Sequence, residues 1–574
     1  MLINYFKKYS SYVSSLFIIF TFFGLASITN GAELKYVTIV ESKNDQVLFK
    51  TRSLEKTNYS LCETTNLACQ DLGSTTPDKT LEALAEDEPQ STKIRYIDFN
   101  RKNASRILLS PDEKWLTYYN PALTGKSEGK KERQFVLLKL KGNQIIGTSK
   151  LSGAVDYWDL LSEELRIYNF SPSGNKLMYL DDRNGYSVPY LVDLTKDKTN
   201  YLPGQQIITK KYSVADFMFW SDDVIYFSAN RESSHQWSLY RYNLITKDLQ
   251  KVADNISYNQ QMVKVGTGTN AKLLFTQLIN NSAIPVLLDP TISKLSYFPT
   301  LSANPKVSGY TEEEIKLGEL NGVLLKPSNY SASQKYPLIV WLHGGPYRQT
   351  ALGYHSYFSY GGYDWLLGEI AKSGVLVLKL DYRGSYGYGR DFAESITGEV
   401  GRGDVTDVLS AQAELKKTYK VANTYLTGNS YGGYLALRTI VDSSARGQMA
   451  GALSINGVTD WFVLLDKLEN SIFNVQFNGL LTEENSDLYY QANISDHIKN
   501  LRGQKIIVAQ AEKDGTVPAS QADYIAKIFS LKEKALTLVK YKDEDHIFQK
   551  KSSLEDLCRQ LASLTNTQTD CQWK

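Results

Sequence analysis

Near residue 310 the rhythm of apolar residues in this chain changes, and one layered architecture does not accommodate both rhythms. From about residue 34 to 300 the chain is built of short apolar and aromatic runs separated by turn residues, with little helical periodicity. After about 310, continuous apolar runs of strand length alternate with amphipathic stretches. The runs are Leu338 to Leu342, Val375 to Leu380 and Ile506 to Ala509; the stretches include Val405 to Lys416 and Ser520 to Phe529. Such alternation predicts a doubly wound, mostly parallel sheet covered by helices on both faces. A chain of 574 residues exceeds one hydrophobic core, and two domains of roughly 250–300 residues each are expected. The segment from Tyr297 to Glu312 is the natural link, giving an N-terminal domain over 33–300 and a C-terminal one over 301–574.

The first half carries a weak internal echo. Ser110-Pro111-Asp112-Glu113-Lys114-Trp115 is matched by Ser171-Pro172-Ser173-Gly174-Asn175-Lys176, and more loosely by Trp220-Ser221-Asp222-Asp223-Val224. Each is a polar turn feeding a strand. Further strands at Phe135 to Leu140, Tyr190 to Leu194 and Leu239 to Leu244 fall where the later strands of a repeat belong, so a β-propeller is the economical architecture. The echoes lie further apart than the ~40–45 residues of simple propeller repeats, which leaves blade number open and an irregular pair of β-sandwiches as the alternative. The 39 Tyr and 8 Trp agree with a large β component.

Lys and Arg total 64 against 62 Asp and Glu, with the signs interspersed, so nothing points to nucleic acid or to an acidic partner. Residues 1–32 read as a signal peptide: Lys7 and Lys8 precede an apolar stretch from Leu16 to Ile28, and Thr29-Asn30-Gly31-Ala32 offers a cleavage site. The stretch is short for a membrane span, although Tyr12 and Val13 extend it and leave an uncleaved anchor as the competing reading. A periplasmic or secreted protein without stable membrane insertion is expected. The four Cys form two close pairs, Cys62 with Cys69 and Cys558 with Cys571, which suit local disulfides in an oxidising compartment. Neither pair has the ligand spacing of a zinc site and the chain has only 5 His, so no metal or other cofactor is called for.

The strongest local motif is Gly428-Asn429-Ser430-Tyr431-Gly432-Gly433, which follows the short strand Tyr425 to Thr427 and opens a helix through Leu435 and Leu437. A nucleophile elbow needs small residues on either side so that the backbone passes closely while the Ser hydroxyl projects. A serine hydroxyl is a weak nucleophile and requires a base and an orienting carboxylate, which in this fold follow in the order Ser, Asp, His. Two His lie after Ser430. His497 reads as part of a surface helix, whereas His546 follows the strand Leu536 to Tyr541 and is the better base. Asp514 follows the buried strand Ile506 to Ala509, at the sheet edge where such sites assemble, and is the expected acid. Asp543 and Asp545 are rivals by proximity, but a residue so close in sequence cannot readily turn back to the His ring, so they read as solvated or helix-capping acids. An oxyanion hole needs backbone N–H groups from the residue after the nucleophile and from a Gly-rich turn after an earlier strand. Tyr431 supplies the first; His343-Gly344-Gly345-Pro346, through Gly344 and Gly345, fits the second.

Taken together, these residues resemble the prolyl oligopeptidase family of serine peptidases. The marks are His343-Gly344-Gly345-Pro346, Asp381-Tyr382-Arg383-Gly384-Ser385 with Gly387-Tyr388-Gly389, Gly428 through Tyr434, Asp514 with Val517-Pro518, and Asp543-Glu544-Asp545-His546. The His-Gly-Gly-Pro form is most similar to the acylaminoacyl-peptidase and dipeptidyl-peptidase-like branch. The resemblance implies an N-terminal β-propeller, a C-terminal α/β-hydrolase domain and acyl-enzyme hydrolysis of short peptides, with the propeller limiting access. It also implies that Val458, Trp461 and Val517 line the primary specificity pocket and favour an apolar or aromatic side chain before the scissile bond; they serve equally as core. The chain departs from the family pattern at Thr516, where members often carry an Arg that anchors a substrate carbonyl, at Asn429 and at Ile547. Ala492-Asn493 occupies a place often Ser-Pro, and no Glu pair that would clamp a free N-terminal amine stands out. A carboxylesterase with the same triad, and a binding protein with an inactive hydrolase scaffold, are the competing functions.

Overall fold

A computed structural model of the protein describes residues 35–572 apart from 44, 54–56, 75–93, 95–96, 100–104, 121–133, 152–167, 197–203, 258–261, 280–281, 299–308, 356, 468–475 and 479–480. The expected signal segment, and most of the expected link between the domains, lie outside the described residues. Among the described residues no helix is long and apolar enough to cross a membrane.

The first half is a β-propeller. Among the described residues it has five sheets of four antiparallel strands, with strands lying between 35 and 73, 105 and 150, 168 and 206, 214 and 253, and 263 and 297. The repeated turns of the sequence are the hairpins that enter the second strand of three consecutive blades. Ser110 Oγ accepts the Trp115 N–H at 2.9 Å, and Ser171 Oγ accepts that of Lys176 at 3.2 Å. A short hydroxyl placed to cap its own turn is why a Ser recurs there. The first blade closes on the last: Val47, Phe49 and Cys62 share an apolar cluster with Val265, Leu274, Ile284, Leu287 and Phe298. Cys62 and Cys69 face each other across the third and fourth strands of the first blade and are bonded.

The second half is a single eight-stranded sheet. Its strands are β1 (Tyr310–Leu317), β2 (Leu320–Pro327), β3 (Tyr336–Leu342), β4 (Leu376–Asp381), β5 (Val421–Asn429), β6 (Gly451–Ile455), β7 (Lys505–Ala511) and β8 (Thr537–Tyr541). The spatial order is β1-β2-β4-β3-β5-β6-β7-β8; the two pairings that involve β2 are antiparallel and all others parallel. Among the described residues, its helices of ten residues or more are α1 (Phe358–Lys372), α2 (Gly403–Thr418), α3 (Tyr431–Ile440), α4 (Ser520–Leu531) and α5 (Lys551–Thr565). Alternate residues of the central strands go to opposite faces, as the pleat requires. Leu338, Val340 and Leu342 of β3 pack with α2, α3 and α4, while Ile339 and Trp341 pack with α1 and α5. Strands buried on both sides must be apolar without interruption, which is why the runs in the sequence do not alternate. Cys558 of α5 is bonded to Cys571, and both are buried.

The propeller meets the hydrolase half at the loops that leave β3 and β4. Asn230 donates to the Gly387 carbonyl at 2.9 Å, the Arg390 N–H donates to Gly185 O at 2.6 Å, and the Leu352 N–H donates to His235 O at 3.3 Å. Tyr386 enters the apolar cluster of the fourth and fifth blades beside Trp237. The propeller therefore sits against the C-terminal edge of the parallel strands.

Candidate active site

Ser430 stands between β5 and α3 with φ 58° and ψ −123°, a left-handed conformation that non-glycine residues rarely hold. The turn survives because the residues two positions away on either side lack side chains. A Cβ on Gly432 would sit 1.9 Å from Leu342 O, and one on Gly428 would sit 2.3 Å from the same oxygen. Thus the elbow packs directly on the end of β3. The Ser430 N–H donates to Ile455 O at 2.8 Å, and the Tyr434 N–H donates to Ser430 O at 3.0 Å, so the main chain is held on both sides while the residue stays only half-buried.

His546 lies in the loop after β8 and Asp514 in the loop after β7. The two carboxylate oxygens of Asp514 stand 3.0 and 2.8 Å from His546 Nδ1. An ionised carboxylate only accepts, so Nδ1 carries a proton, and in the neutral ring Nε2 then keeps its lone pair, the tautomer a general base needs. Asp514 is itself fixed by the N–H groups of Thr516 and Val517, at 2.8 and 2.7 Å to Oδ1. The rival acids have other work. Asp543 is exposed and pairs with Lys513 at 2.9 Å, as a solvated acid does. Asp545 caps no helix, contrary to one expectation for it; its Oδ1 accepts the N–H groups of His546 at 2.7 Å and Gly515 at 3.2 Å and ties the two loops together. His497, expected on a surface helix, precedes the short 3-10 turn Ile498–Asn500, half-buried, with Nε2 3.2 Å from Gln491 O.

The structure distinguishes the two glycines of the strand-end turn. The Gly344 N–H donates to Tyr360 Oη at 3.1 Å and is spent there, whereas the N–H groups of Gly345 and Tyr431 have no acceptor among the described residues. Gly344 instead provides room, since a Cβ on it would lie 3.2 Å from Ser430 Cβ. The two free donors belong to segments that are stacked together. Tyr382 lies on the His343 ring at 4.6 Å between centroids and on the Tyr431 ring at 6.0 Å, and its hydroxyl donates to His343 O at 2.6 Å. Tyr431 Oη donates in turn to Asp404 Oδ2 at 2.7 Å, and burial pushes the Asp404 carboxyl up to about 6.

Residues 362–570 match the prolyl oligopeptidase family. The C-terminal half carries a prolyl oligopeptidase family domain. Over 259 residues the chain is 28% identical to the uncharacterized peptidase YuxL of Bacillus subtilis, covering 43% of this chain and 36% of that protein. Over 162 residues it is 32% identical to the acylamino-acid-releasing enzyme of Mus musculus, covering 26% and 21%. The chain thus spans little more than a third of the first of these relatives and less of the second. A Mycobacterium tuberculosis puromycin-hydrolyzing peptidase has the same fold, with a TM-score of 0.65 at 14% identity over 95% of this chain and 86% of the other.

Within the family domain, Val458, Trp461 and Val517 are all buried in the core cluster that contains Tyr431. Trp461 lies 5.1 Å from Tyr434 and 5.9 Å from Tyr431, ring to ring. Sequence reasoning missed Asn456. Its Nδ2 donates to His546 O at 2.9 Å and to Asp545 O at 3.2 Å, while its Oδ1 accepts the Ala511 N–H at 2.7 Å. Asn429, a departure from the family pattern, joins it with a 3.3 Å bond to the same His546 carbonyl. Two amides at the ends of adjacent strands thereby hold the loop that carries His546. An Asn just past a strand end is the only signal for this in the sequence.

Proposed function

We propose that this chain is a serine peptidase that cleaves short peptides through an acyl-enzyme. Ser430 is the nucleophile, His546 the general base and acid, Asp514 the group that orients it, and Gly345 and Tyr431 supply the oxyanion N–H donors. The observation that carries this reading is Asp514 seated on His546 Nδ1, with the His546 carbonyl bonded at 3.3 Å by Asn429, the residue before a Ser held at positive φ. In the first step His546 Nε2 takes the Ser430 proton as Oγ adds to the substrate carbonyl, and the charge that forms on oxygen falls to the two backbone donors. The protonated ring then gives its proton to the leaving amine, and water repeats the sequence on the ester. Packing of the propeller against the edge of the sheet supports an enclosed site, and Val458, Trp461 and Val517 support an apolar or aromatic preference before the cut. The apolar stretch Leu16 to Ile28 and the two disulfides support a periplasmic or secreted location. Labelling with a fluorophosphonate, followed by turnover of a panel of short peptides and p-nitrophenyl esters, tests the reading. Labelling with peptide turnover is expected. Labelling with ester turnover alone would favour a carboxylesterase, and no labelling would leave an inactive scaffold.

A further inference from the structure

The one imidazole that the propeller sends into the hydrolase domain is His235, at the tip of the hairpin between strands Val224–Ser233 and Gln236–Asn243. Its side chain is 1% exposed. Nδ1 lies 2.6 Å from Glu314 Oε1 on β1, and Nε2 lies 3.0 Å from Asp381 Oδ2 at the end of β4 and 3.0 Å from Tyr388 Oη. Carboxylates accept and do not donate, so a ring with a carboxylate on each nitrogen bears both protons. Asp381 does not stop at His235. Its Oδ1 accepts the Thr350 N–H at 2.7 Å, and the same oxygen stands 3.4 Å from His343 Nε2. The hairpin main chain reaches the same loop, for Ser234 O accepts from Gln349 Nε2 and His235 O from the Leu352 N–H. The loop that begins at His343 and contains Gly345 is therefore held through one buried carboxylate by a cation that belongs to the other domain.

We propose that His235 is a positioning residue for the oxyanion loop: seated between Glu314 and Asp381, it makes the placement of Gly345 depend on the docked propeller. The proposal rests on the reading of Gly345 as an oxyanion donor. A neutral His235 would leave Asp381 and Glu314 with one proton between them, and Asp381 would then share its charge with fewer partners at the moment Thr350 and His343 need it fixed. The groups facing the ring are Glu314 from β1, Asp381 from β4, the Tyr388 phenol from the loop beyond it, and on the hairpin itself the Ser234 hydroxyl, 3.3 Å from Nδ1; His343 and Lys379 act on it through Asp381. Burial alone would drive the proton off, but the hydrogen bonds and charges of Asp381 and then Glu314 outweigh it and hold the ring up to about 9. A folded value above the unfolded one of about 6.5 means that the ring's contribution is complete below that pH and is lost as pH rises through about 9.

The test compares the wild type with His235→Gln and Glu314→Gln. With His235→Gln, kcat on a short peptide should fall about 10–100-fold, the cost of a small misplacement at a reacting centre, while KM changes by less than about threefold. The fluorophosphonate labelling rate of the wild type should drop as pH passes about 9, and in Glu314→Gln the drop should move to lower pH because one of the two carboxylates is gone. Should His235→Gln fail to fold, carbon NMR of labelled histidine in the wild type decides the point: one of the 5 imidazoles should stay charged until about pH 9. Five rings that all titrate at or below about 7, or a His235→Gln protein with wild-type kcat and pH profile, would overturn the proposal. A wild type that takes no label at pH 7 would overturn the serine-peptidase reading, and the positioning role with it.

Discussion

In the proposed mechanism His546 and Ser430 do one job between them, and removing either should cost nearly all turnover. Ser430→Ala and His546→Ala are each expected to lower kcat by roughly 10⁴–10⁶-fold with the thermal midpoint little changed, because members of such a unit fail together. Asp514→Asn should cost about 10⁴-fold, since an amide cannot hold His546 in the Nδ1–H form. The acids nearer in sequence separate from it. Asp543→Asn should be silent, because its partner Lys513 is exposed like itself, and Asp545→Asn should lose less than about tenfold, the worth of two main-chain hydrogen bonds at a loop. Steady-state kinetics on one peptide checks all five; an Asp545→Asn defect deeper than that of Asp514→Asn would reassign the acid. Ser430, Asp514 and His546 could be picked out of the sequence because the chemistry proposed for them demands particular residue types in a fixed chain order at strand ends. Asn456 could not, because nothing local marks it: its partner His546 is 90 residues away, and the need for it arises only once β6 and the His loop are side by side. Gly344 and Gly345 look alike in sequence, and which of their N–H groups is spent is decided by Tyr360, which arrives from α1.

At the scale of elements, the sheet was legible and the blades only partly so. Buried parallel strands announce themselves as unbroken apolar runs, and the elbow glycines mark where one must stop. The third blade, by contrast, has an outer strand of two residues, Gln205–Gln206, and an inner one of three, Tyr168–Phe170. Segments of that length carry no period, so blade number had to come from strand pairing. The elbow itself makes a sharp stability test. Gly432→Ala would drive a methyl into Leu342 O and force β3 away from α3, at a cost of about 3 kcal/mol or more. Gly515→Ala, beside Asp514, meets nothing within 4 Å and should change stability by less than about 0.5 kcal/mol. Urea midpoints of the two variants measure the contrast, and a Gly432→Ala protein as stable as the wild type would mean that β3 and the elbow are not in contact.

At the scale of the whole molecule, the proposed function asks the propeller for what the hydrolase chemistry does not supply, a limit on what reaches Ser430. The loops that leave β3 and β4 bear the propeller, at the same edge of the sheet from which the elbow and the Asp514 and His546 loops project. In that proposal a substrate enters between the domains or through the propeller, and its size as a coil sets the difficulty. An unfolded peptide of 30 residues has a radius of gyration of about 15 Å, already that of a folded domain of about 150 residues, and has to be threaded where a shorter one enters whole. With one cleavable sequence embedded in flexible peptides of increasing length, kcat/KM should stay level for short chains and fall steeply beyond roughly 30 residues. The fall should appear in KM and in the entry rate, with little change in the rate from bound substrate, because the triad is untouched. His235 gives the same series a second axis: above about pH 9 the ring that docks the hairpin loses its proton, so the length dependence should flatten even as turnover of the shortest peptide declines. A long unstructured protein cut as fast as a short peptide at pH 7 would show that the propeller does not guard the site.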